Sequence, residues 1–392
     1  MKLRWLHRLL ESGLHLERRF EPFFRPAVNA VFRKPVAAIA QWGINIQRRE
    51  EGLAIAEERI DPDEEASLQG MIDAIRVHLE QDFPPGGMER GGNTKTHGLV
   101  RAELVVHDNL PEHLRKGVFA EPRSFKAWVR FSGPGPHVEP DINDVGFVSI
   151  SVKLMGVEGP KLMDEERFTQ DFTAVCTPTF VTPTTRENAK LQEWSRQHLP
   201  IWYFLNPRDP HLLDFIMQGL WNETQSNPLG AYFYSCVPYL LGEGQAMKYA
   251  FRPKTEVYRK IHGLPFRPAE NYLRDNMVRT LNETDVEIEM VVQLQTDSHR
   301  MPIEHAGVLW SEKLSPPIPV ATIKIPKQIF ASEAQFAFCR NLRFNPWHCI
   351  AEHRPLGNQS RARRRMYHDL AVFRQRVNGV EHVEPTGDEV FG

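Results

Sequence analysis

The residues best suited to chemistry lie near the end of the chain, where Arg363 precedes Tyr367 by four positions within the basic run RARRRMYHD. Residues four apart share one face of an α-helix, and a guanidinium placed there stabilises the phenolate form of a tyrosine. A phenolate oxygen is a hard anionic ligand that suits ferric iron. The pair alone recurs by chance in many helices, so it needs support from other motifs. A basic run can also bind nucleic acid, but a formal net charge of -2 argues against a nucleic-acid partner.

Several further segments stand in an order that resembles the catalase superfamily. Arg374 follows Tyr367 by seven residues, as in the helix that carries the family's iron ligand. Residues 94–98 (TKTHG) stand where the family has its distal histidine, and residues 128–132 (WVRFS) are similar to its Arg-Phe-Ser strand. Two later segments also resemble the family, residues 144–147 (DVGF) and 171–178 (DFTAVCTP). The resemblance covers roughly residues 90–378.

This resemblance implies that the protein binds haem b. Tyr367 would be the ligand of the iron, and Arg363 would be the partner that stabilises its phenolate. Arg130 and Arg374 would bind the haem propionates through charge-assisted hydrogen bonds.

The resemblance also implies a peroxide-binding side of the haem with three catalytic residues. His97 would take a proton from one oxygen of the substrate and return it to the other. Ser132 occupies the place of the family's serine that hydrogen-bonds the distal histidine, and the hydroxyl of Thr96 could bond the same ring. Both are therefore expected to hold the imidazole and set its tautomer.

Five more segments are similar to a branch of catalase-related enzymes that includes allene oxide synthases and other fatty-acid hydroperoxide enzymes. The expected function is that of a haem oxidoreductase acting on a small-molecule hydroperoxide, as a peroxidase or as an isomerase or lyase. Two alternatives stay open, namely a catalase that decomposes hydrogen peroxide and a haem-binding or sensing protein without turnover. The five segments are residues 246–253 (AMKYAFRP), 292–302 (VQLQTDSHRMP), 320–328 (VATIKIPKQ), 345–348 (NPWH) and 352–357 (EHRPLG).

Two departures from the family pattern bear on these alternatives. Catalases orient hydrogen peroxide with an asparagine, whereas this chain has Val175, followed by Cys176. Neither side chain replaces the hydrogen bond of an amide, which argues against fast dismutation of hydrogen peroxide. The family's arginine three residues before the distal histidine is Thr94 here, and Lys95 is the candidate substitute for that propionate partner.

The composition predicts an ordinary globular protein, since 41% of the 392 residues are hydrophobic and 25% are charged. The four cysteines are scattered without a CxxC pair, which favours a reducing compartment. No apolar run approaches the ~20 residues that span a bilayer. These features predict a cytoplasmic protein.

Short runs bounded by turn residues predict strands at 99–107, 125–131, 147–154, 247–251, 286–295 and 319–325, and helical patterns occur at 61–83, 185–222 and 360–377. Together with the resemblance, they predict an α+β fold. Its centre is a catalase-like antiparallel β-barrel with surrounding helices, and its haem pocket lies between the barrel and the C-terminal helix. The predicted domains are a helical arm at 1–88, the barrel with a helical insertion at 89–330, and a C-terminal helical segment at 331–392.

Residues 1–50 combine arginines with bulky apolar residues, such as Leu3, Leu6 and Leu9, at roughly helical spacing. One interpretation is an amphipathic arm that packs on its own domain or on a second subunit, which would make the protein a homo-oligomer. The other is an interfacial helix that contacts a membrane or gathers lipid substrate.

Overall fold

The protein is built around an antiparallel β-sheet. The structure is a computed structural model that describes residues 2–133, 135–144 and 146–391. Six strands fall where the sequence predicts them, within two or three residues at each end. The strands in chain order are β1 (Thr96–Val106), β2 (Ser124–Ser132), β3 (Ser149–Met155), β4 (Thr169–Val175), β5 (Phe233–Tyr234), β6 (Tyr239–Leu240), β7 (Ala246–Pro253), β8 (Val286–Leu294) and β9 (Ile318–Ile325).

The short strand β5 closes this sheet into a barrel. Its residue Tyr234 lies opposite Val175 of β4 on one side and opposite Ala250 of β7 on the other. The ring therefore runs β5-β4-β3-β2-β1-β9-β8-β7 and returns to β5, with β6 attached to β7. Within the described residues this is a closed eight-stranded antiparallel barrel, and it confirms the predicted fold class.

The inside of the barrel is a packed hydrophobic core. Side chains of alternate residues in a strand point to the same face. Val129 and Phe131 of β2 accordingly pack with Ile150 and Val152 of β3, and all four are fully buried. Burial of each such side chain contributes about 1.5–3 kcal/mol to folding. The packed barrel is therefore a rigid support for the residues at the ends of its strands.

Helices surround the barrel and connect its strands. The predicted helical insertion at 185–222 is three short helices between β4 and β5, whereas the helix between β7 and β8 was not predicted. The helices in chain order are α1 (Lys2–Val28), α2 (Lys34–Gln47), which follows a π-helical turn (Asn29–Arg33), α3 (Glu64–Asp82), α4 (Thr185–Arg196), α5 (Ile201–Leu205), α6 (Leu212–Gly219), α7 (Tyr272–Glu283), α8 (Glu333–Asn341) and α9 (Asn358–Asn378).

α9 is the helix predicted at 360–377, and α3 holds one side of it. Met366 and Phe373 of α9 pack in a hydrophobic cluster with Met71 and Ile72 of α3. α9 ends at Gly379, whose φ of 66° is a left-handed conformation that glycine adopts without strain. The other side of α9 carries polar side chains and faces the barrel.

Candidate functional site

His97 lies at a β-bulge near the start of β1. Thr96 is opposite Ser132 of β2, and Gly98 is opposite Phe131, so His97 is the extra residue between two paired positions. A bulge bends the strand and redirects the side chain of the extra residue. The His97 side chain is completely buried, and neither of its ring nitrogens has a hydrogen-bond partner in the described structure.

Cations surround this buried imidazole. Burial lowers the pKa of His97 well below its usual value, and Lys95, Arg274 and Arg130 lower it further. The carboxylate of Asp141 lies 3.7 Å from Nδ1 of His97, and it pairs with Lys95 at 2.6 Å. His97 is therefore neutral near pH 7, which is the form that accepts a proton.

Lys95 is occupied and does not substitute for a propionate partner in this structure. Its ammonium group binds Asp141 and donates hydrogen bonds to the backbone oxygens of Glu139 at 2.6 Å and Glu270 at 2.9 Å. These three acceptors match the three hydrogens of an ammonium group. The structure thus contradicts the expectation that Lys95 replaces the family's arginine at Thr94.

The hydroxyl groups of Ser132 and Thr96 contact Arg130 instead of His97. Arg130 donates from Nη1 to Ser132 Oγ at 2.8 Å and from Nη2 to Thr96 Oγ1 at 2.9 Å. Ser132 also hydrogen-bonds Ser149 of β3 at 2.8 Å. The predicted hydrogen bonds from these hydroxyls to the imidazole are not formed in this structure, since neither ring nitrogen of His97 has a hydrogen-bond partner among the described residues. Ser132 and Thr96 fix the guanidinium beside His97.

Arg130 belongs to a cluster of three guanidinium groups, which we call the arginine cluster: Arg90, Arg130 and Arg374. Arg90 and Arg374 converge on one backbone oxygen, that of Leu342, with distances of 2.7 and 3.2 Å. Burial and the neighbouring Arg90 lower the pKa of Arg130 to about 10. Burial, followed by Arg90 and Arg130, also lowers the pKa of Arg374 well below its usual value.

Within the described residues, the arginine cluster has donors without an acceptor, and its neighbouring carboxylate is already paired. Nη1 of Arg90 and Nε of Arg374 are buried without a hydrogen-bond partner. The carboxylate of Glu89 acts on the cluster, but it pairs with Arg340 at 2.6 Å. Buried charges are normally paired. This donor set fits a ligand with two carboxylates, which haem provides as its propionates.

α9 carries Tyr367, the predicted iron ligand, on the same face as Arg374 of the arginine cluster. Arg363, Tyr367 and Arg374 are spaced by four and seven residues, which brings all three onto one stripe of the helix. Tyr367 is half-buried beside the cluster formed with α3. Burial opposes the charge of Arg363, but the phenols of Tyr367 and Tyr239 raise its pKa above the usual value. The guanidinium of Arg363 lies 5.0 Å from the ring centre of Phe180.

The loop after β2 approaches His97 closely. A Cβ atom on Gly133 would lie 2.0 Å from Asp144 Oδ2 and 3.5 Å from His97 Nε2, so a larger residue there would displace the Asp144 carboxylate. Of the DVGF segment, Val145 lies outside the described residues. This close approach encloses the imidazole from the loop side.

Two of the positions that depart from the family pattern, Val175 and Cys176, lie at the end of β4. Val175 is half-buried and pairs with Tyr234, while Cys176 is buried. Burial raises the pKa of Cys176 to about 12, and its sulfur accepts a hydrogen bond from the Val148 N–H at 3.1 Å. Cys176 is therefore a packed thiol.

Three residues of this site were missed by the sequence analysis, Arg90, Asp141 and Arg274. Arg274 lies on α7, the helix that was not predicted. Arg90 lies seven residues before His97 in the segment ERGG, and that proximity was the available signal. Asp141 has no recognisable spacing to His97 in the sequence, because the loop after β2 brings it there.

Comparisons with known proteins bear on the fold. No protein-family model matches the chain, and no curated protein sequence is significantly similar to it. Solved structures do match. A fungal catalase aligns with a TM-score of 0.59 at 14% identity, covering 88% of this chain and 70% of its own. A bacterial catalase aligns with a TM-score of 0.54 at 15% identity, covering 87% and 70%. Catalase A from Saccharomyces cerevisiae gives 0.56 at 12% identity, covering 84% and 68%.

The chain has the catalase fold. The predicted site residues lie in two places within this fold. His97 and Arg130 lie at the β1–β2 end of the barrel, and Tyr367 lies on the polar stripe of α9. Arg374 joins the two places because it extends from α9 into the arginine cluster. This arrangement offers cationic donors to an anionic cofactor beside a neutral imidazole, and Arg374 of that donor set shares its helix stripe with Tyr367.

Proposed function

We propose that this chain binds haem and acts on hydroperoxides. Tyr367, supported by Arg363, would be the iron ligand, and Arg90, Arg130 and Arg374 would hold the propionates. The observation that carries the proposal is the arginine cluster, whose neighbouring carboxylate, Glu89, is already paired with Arg340. Among the described residues the cluster has buried donors without an acceptor, and the ring nitrogens of the adjacent His97 have no hydrogen-bond partner. Buried cations in this state gain most from an incoming dianion.

His97 would perform the proton transfers of the reaction. Bound haem supplies an iron that can cleave an O–O bond. The neutral imidazole accepts the proton of the hydroperoxide on one ring nitrogen and can return it to the oxygen that leaves. Lys95, Arg274 and Arg130 favour the neutral form of His97 and so keep it ready to accept that proton.

We further propose an organic hydroperoxide as the substrate, in keeping with the branch that includes allene oxide synthases. Val175 supports this choice, because an apolar side chain cannot orient hydrogen peroxide by hydrogen bonding. Its neighbour Cys176 offers no substitute, since a thiol is only a weak hydrogen-bond donor and acceptor.

Turnover by the haem-loaded full chain tests this function. We expect consumption of a fatty-acid hydroperoxide, followed by its conjugated-diene absorbance and by product analysis, with little oxygen released from hydrogen peroxide. His97→Gln should lower the rate by about 100-fold or more, in the range of general acid–base catalysis. The matched control His107→Gln, just beyond β1, should keep the rate. Rapid oxygen release would identify a catalase, and haem binding without turnover of either substrate would identify a non-catalytic haem protein.

A further inference from the structure

The long N-terminal helix α1 turns its polar side towards the body of the protein. His7, Arg18 and Glu21 are its buried residues. Glu21 accepts hydrogen bonds from the backbone N–H and the hydroxyl of Thr224, at 2.6 and 2.7 Å. Arg18 contacts Asn222 at 3.4 Å. These contacts fix the rotation of α1 about its own axis.

The opposite side of α1 is apolar and faces solvent. Trp5, Leu9, Leu16 and Phe23 recur at helical spacing, and they are 67%, 55%, 60% and 67% exposed. A helix on a globular protein normally buries its apolar stripe against the core. Here the stripe points the other way, so the helix has an apolar face without a partner in the described structure.

The unpartnered face continues through α2. Ile39, Trp42 and Ile46 are 67%, 67% and 63% exposed, whereas Ala40 and Ile44 on the other side pack against α6. We call the exposed apolar side chains of α1 and α2 together the arm face. A continuous exposed apolar surface of this length marks an interaction site.

The positive charges around the arm face favour an anionic partner. Residues 2–49 contain ten Lys or Arg but only three Glu, although the whole chain is slightly acidic. Arg4, Arg8, Lys34 and Arg49 are exposed. Basic side chains are attracted to the surface of an anionic bilayer. A second copy docked face to face would instead bring the same cations together.

We propose that the arm face lies on the surface of an anionic lipid bilayer. Its tryptophans, Trp5 and Trp42, stand near the two ends of the arm, and such rings favour the headgroup region. No helix in the described part of the chain is long and apolar enough to cross a membrane. The arm therefore rests in the interface with its apolar side chains among the acyl chains. This proposal does not depend on haem or on turnover.

Vesicle flotation of the full chain tests the proposal. Wild-type protein should float with phosphatidylcholine–phosphatidylglycerol vesicles, should float less with phosphatidylcholine alone, and should release lipid as salt rises. Ile39→Glu and Trp42→Glu should each weaken binding at least tenfold. The matched control Ile329→Glu changes an isoleucine that is 90% exposed on the body and should bind like wild type.

Three results would overturn the proposal. The first is that the wild type does not float with the vesicles. The second is that Ile39→Glu and Ile329→Glu bind the vesicles equally well. The third is that light scattering shows a wild-type dimer that Ile39→Glu dissociates. The substituted side chains are exposed, so unchanged thermal unfolding of the variants separates lost binding from misfolding.

Discussion

At the scale of single residues, the arginine cluster explains why the site needs a ligand. Burial and mutual repulsion lower the pKa values of Arg130 and Arg374, and the available hydrogen-bond acceptors around the cluster are mostly neutral. A carboxylate that entered would meet unused donors on Arg90 and Arg374. Arg90, which the family pattern did not predict, would take the place of the arginine that is Thr94 here.

Arg90→Gln is expected to weaken haem binding about 10- to 100-fold, because a hydrogen bond to a charged group contributes roughly 1.5–3 kcal/mol. The measurement is the rate of haem transfer from the loaded variant to an acceptor protein. Arg376→Gln is the matched control, since Arg376 is exposed near the end of α9. Equal haem retention by both variants would remove Arg90 from the site.

The sequence predicted the residues that share a face of α9, but it did not predict the hydrogen-bond partners of the hydroxyl residues. The stripe of Arg363, Tyr367 and Arg374 follows from helical spacing alone. The partners of Ser132 and Thr96 do not, because Arg130 and His97 are alternative partners for both hydroxyls and the structure pairs both with Arg130. This pairing depends on side-chain conformations that a motif does not encode.

At the scale of elements, a buried charge network ties β3 and β4 to the segment before α9. Lys153 of β3 pairs with Asp171 of β4 at 2.7 Å and with Glu166. His348 bonds Asp171 at 2.9 Å and Glu165 at 2.6 Å. Burial alone would lower the pKa of His348, but its hydrogen bonds to Asp171 and Glu165 raise it to about 10. His348 is therefore a buried cation, and its position is structural.

This network predicts a pH-dependent stability. His348 gains its proton more readily in the folded chain, so its contribution is complete below pH 6.5 and is lost as the pH rises through about 10. The free energy of unfolding, measured with urea, should fall over that range. His348→Gln should cost about 3–5 kcal/mol at neutral pH, because it removes a buried cation from beside Asp171 and Glu165, and its stability should depend less on pH.

His353→Gln is the control for that series. Burial lowers the pKa of His353 to about 4, so this ring is neutral throughout the same range. Its stability difference from the wild type should stay constant with pH. A constant difference for His348→Gln as well would show that His348 is not charged.

The same network explains why β4 was not predicted as a strand. Its sequence TQDFTAV carries Thr169, Gln170 and Asp171, all fully buried, where a strand in a barrel normally alternates apolar and polar residues. Lys153 and His348 supply the compensating charges from distant parts of the chain. β5 was missed for another reason, since two residues are too short for any periodicity.

At the scale of the whole molecule, the catalase fold joins distant parts of the chain into one site. Barrel closure fixes the β1–β2 end, α3 holds α9 from outside, and Arg374 connects the two. The sequence predicted the antiparallel barrel because six strands have clear turn boundaries. It could not show the closure, which depends on β4 and β5, nor the outward direction of the arm face, which depends on how α1 packs.

The central claim is that Tyr367 holds haem iron in this fold, and the absorption spectrum of the purified chain titrated with ferric haem tests it most directly. Tyr258→Phe changes another half-buried tyrosine and serves as the control. We predict one haem per chain with a ferric tyrosinate spectrum for the wild type and Tyr258→Phe. Tyr367→Phe should fail to retain haem or should shift the Soret band, with thermal unfolding of the haem-free chain unchanged. A wild-type spectrum from Tyr367→Phe would contradict the account.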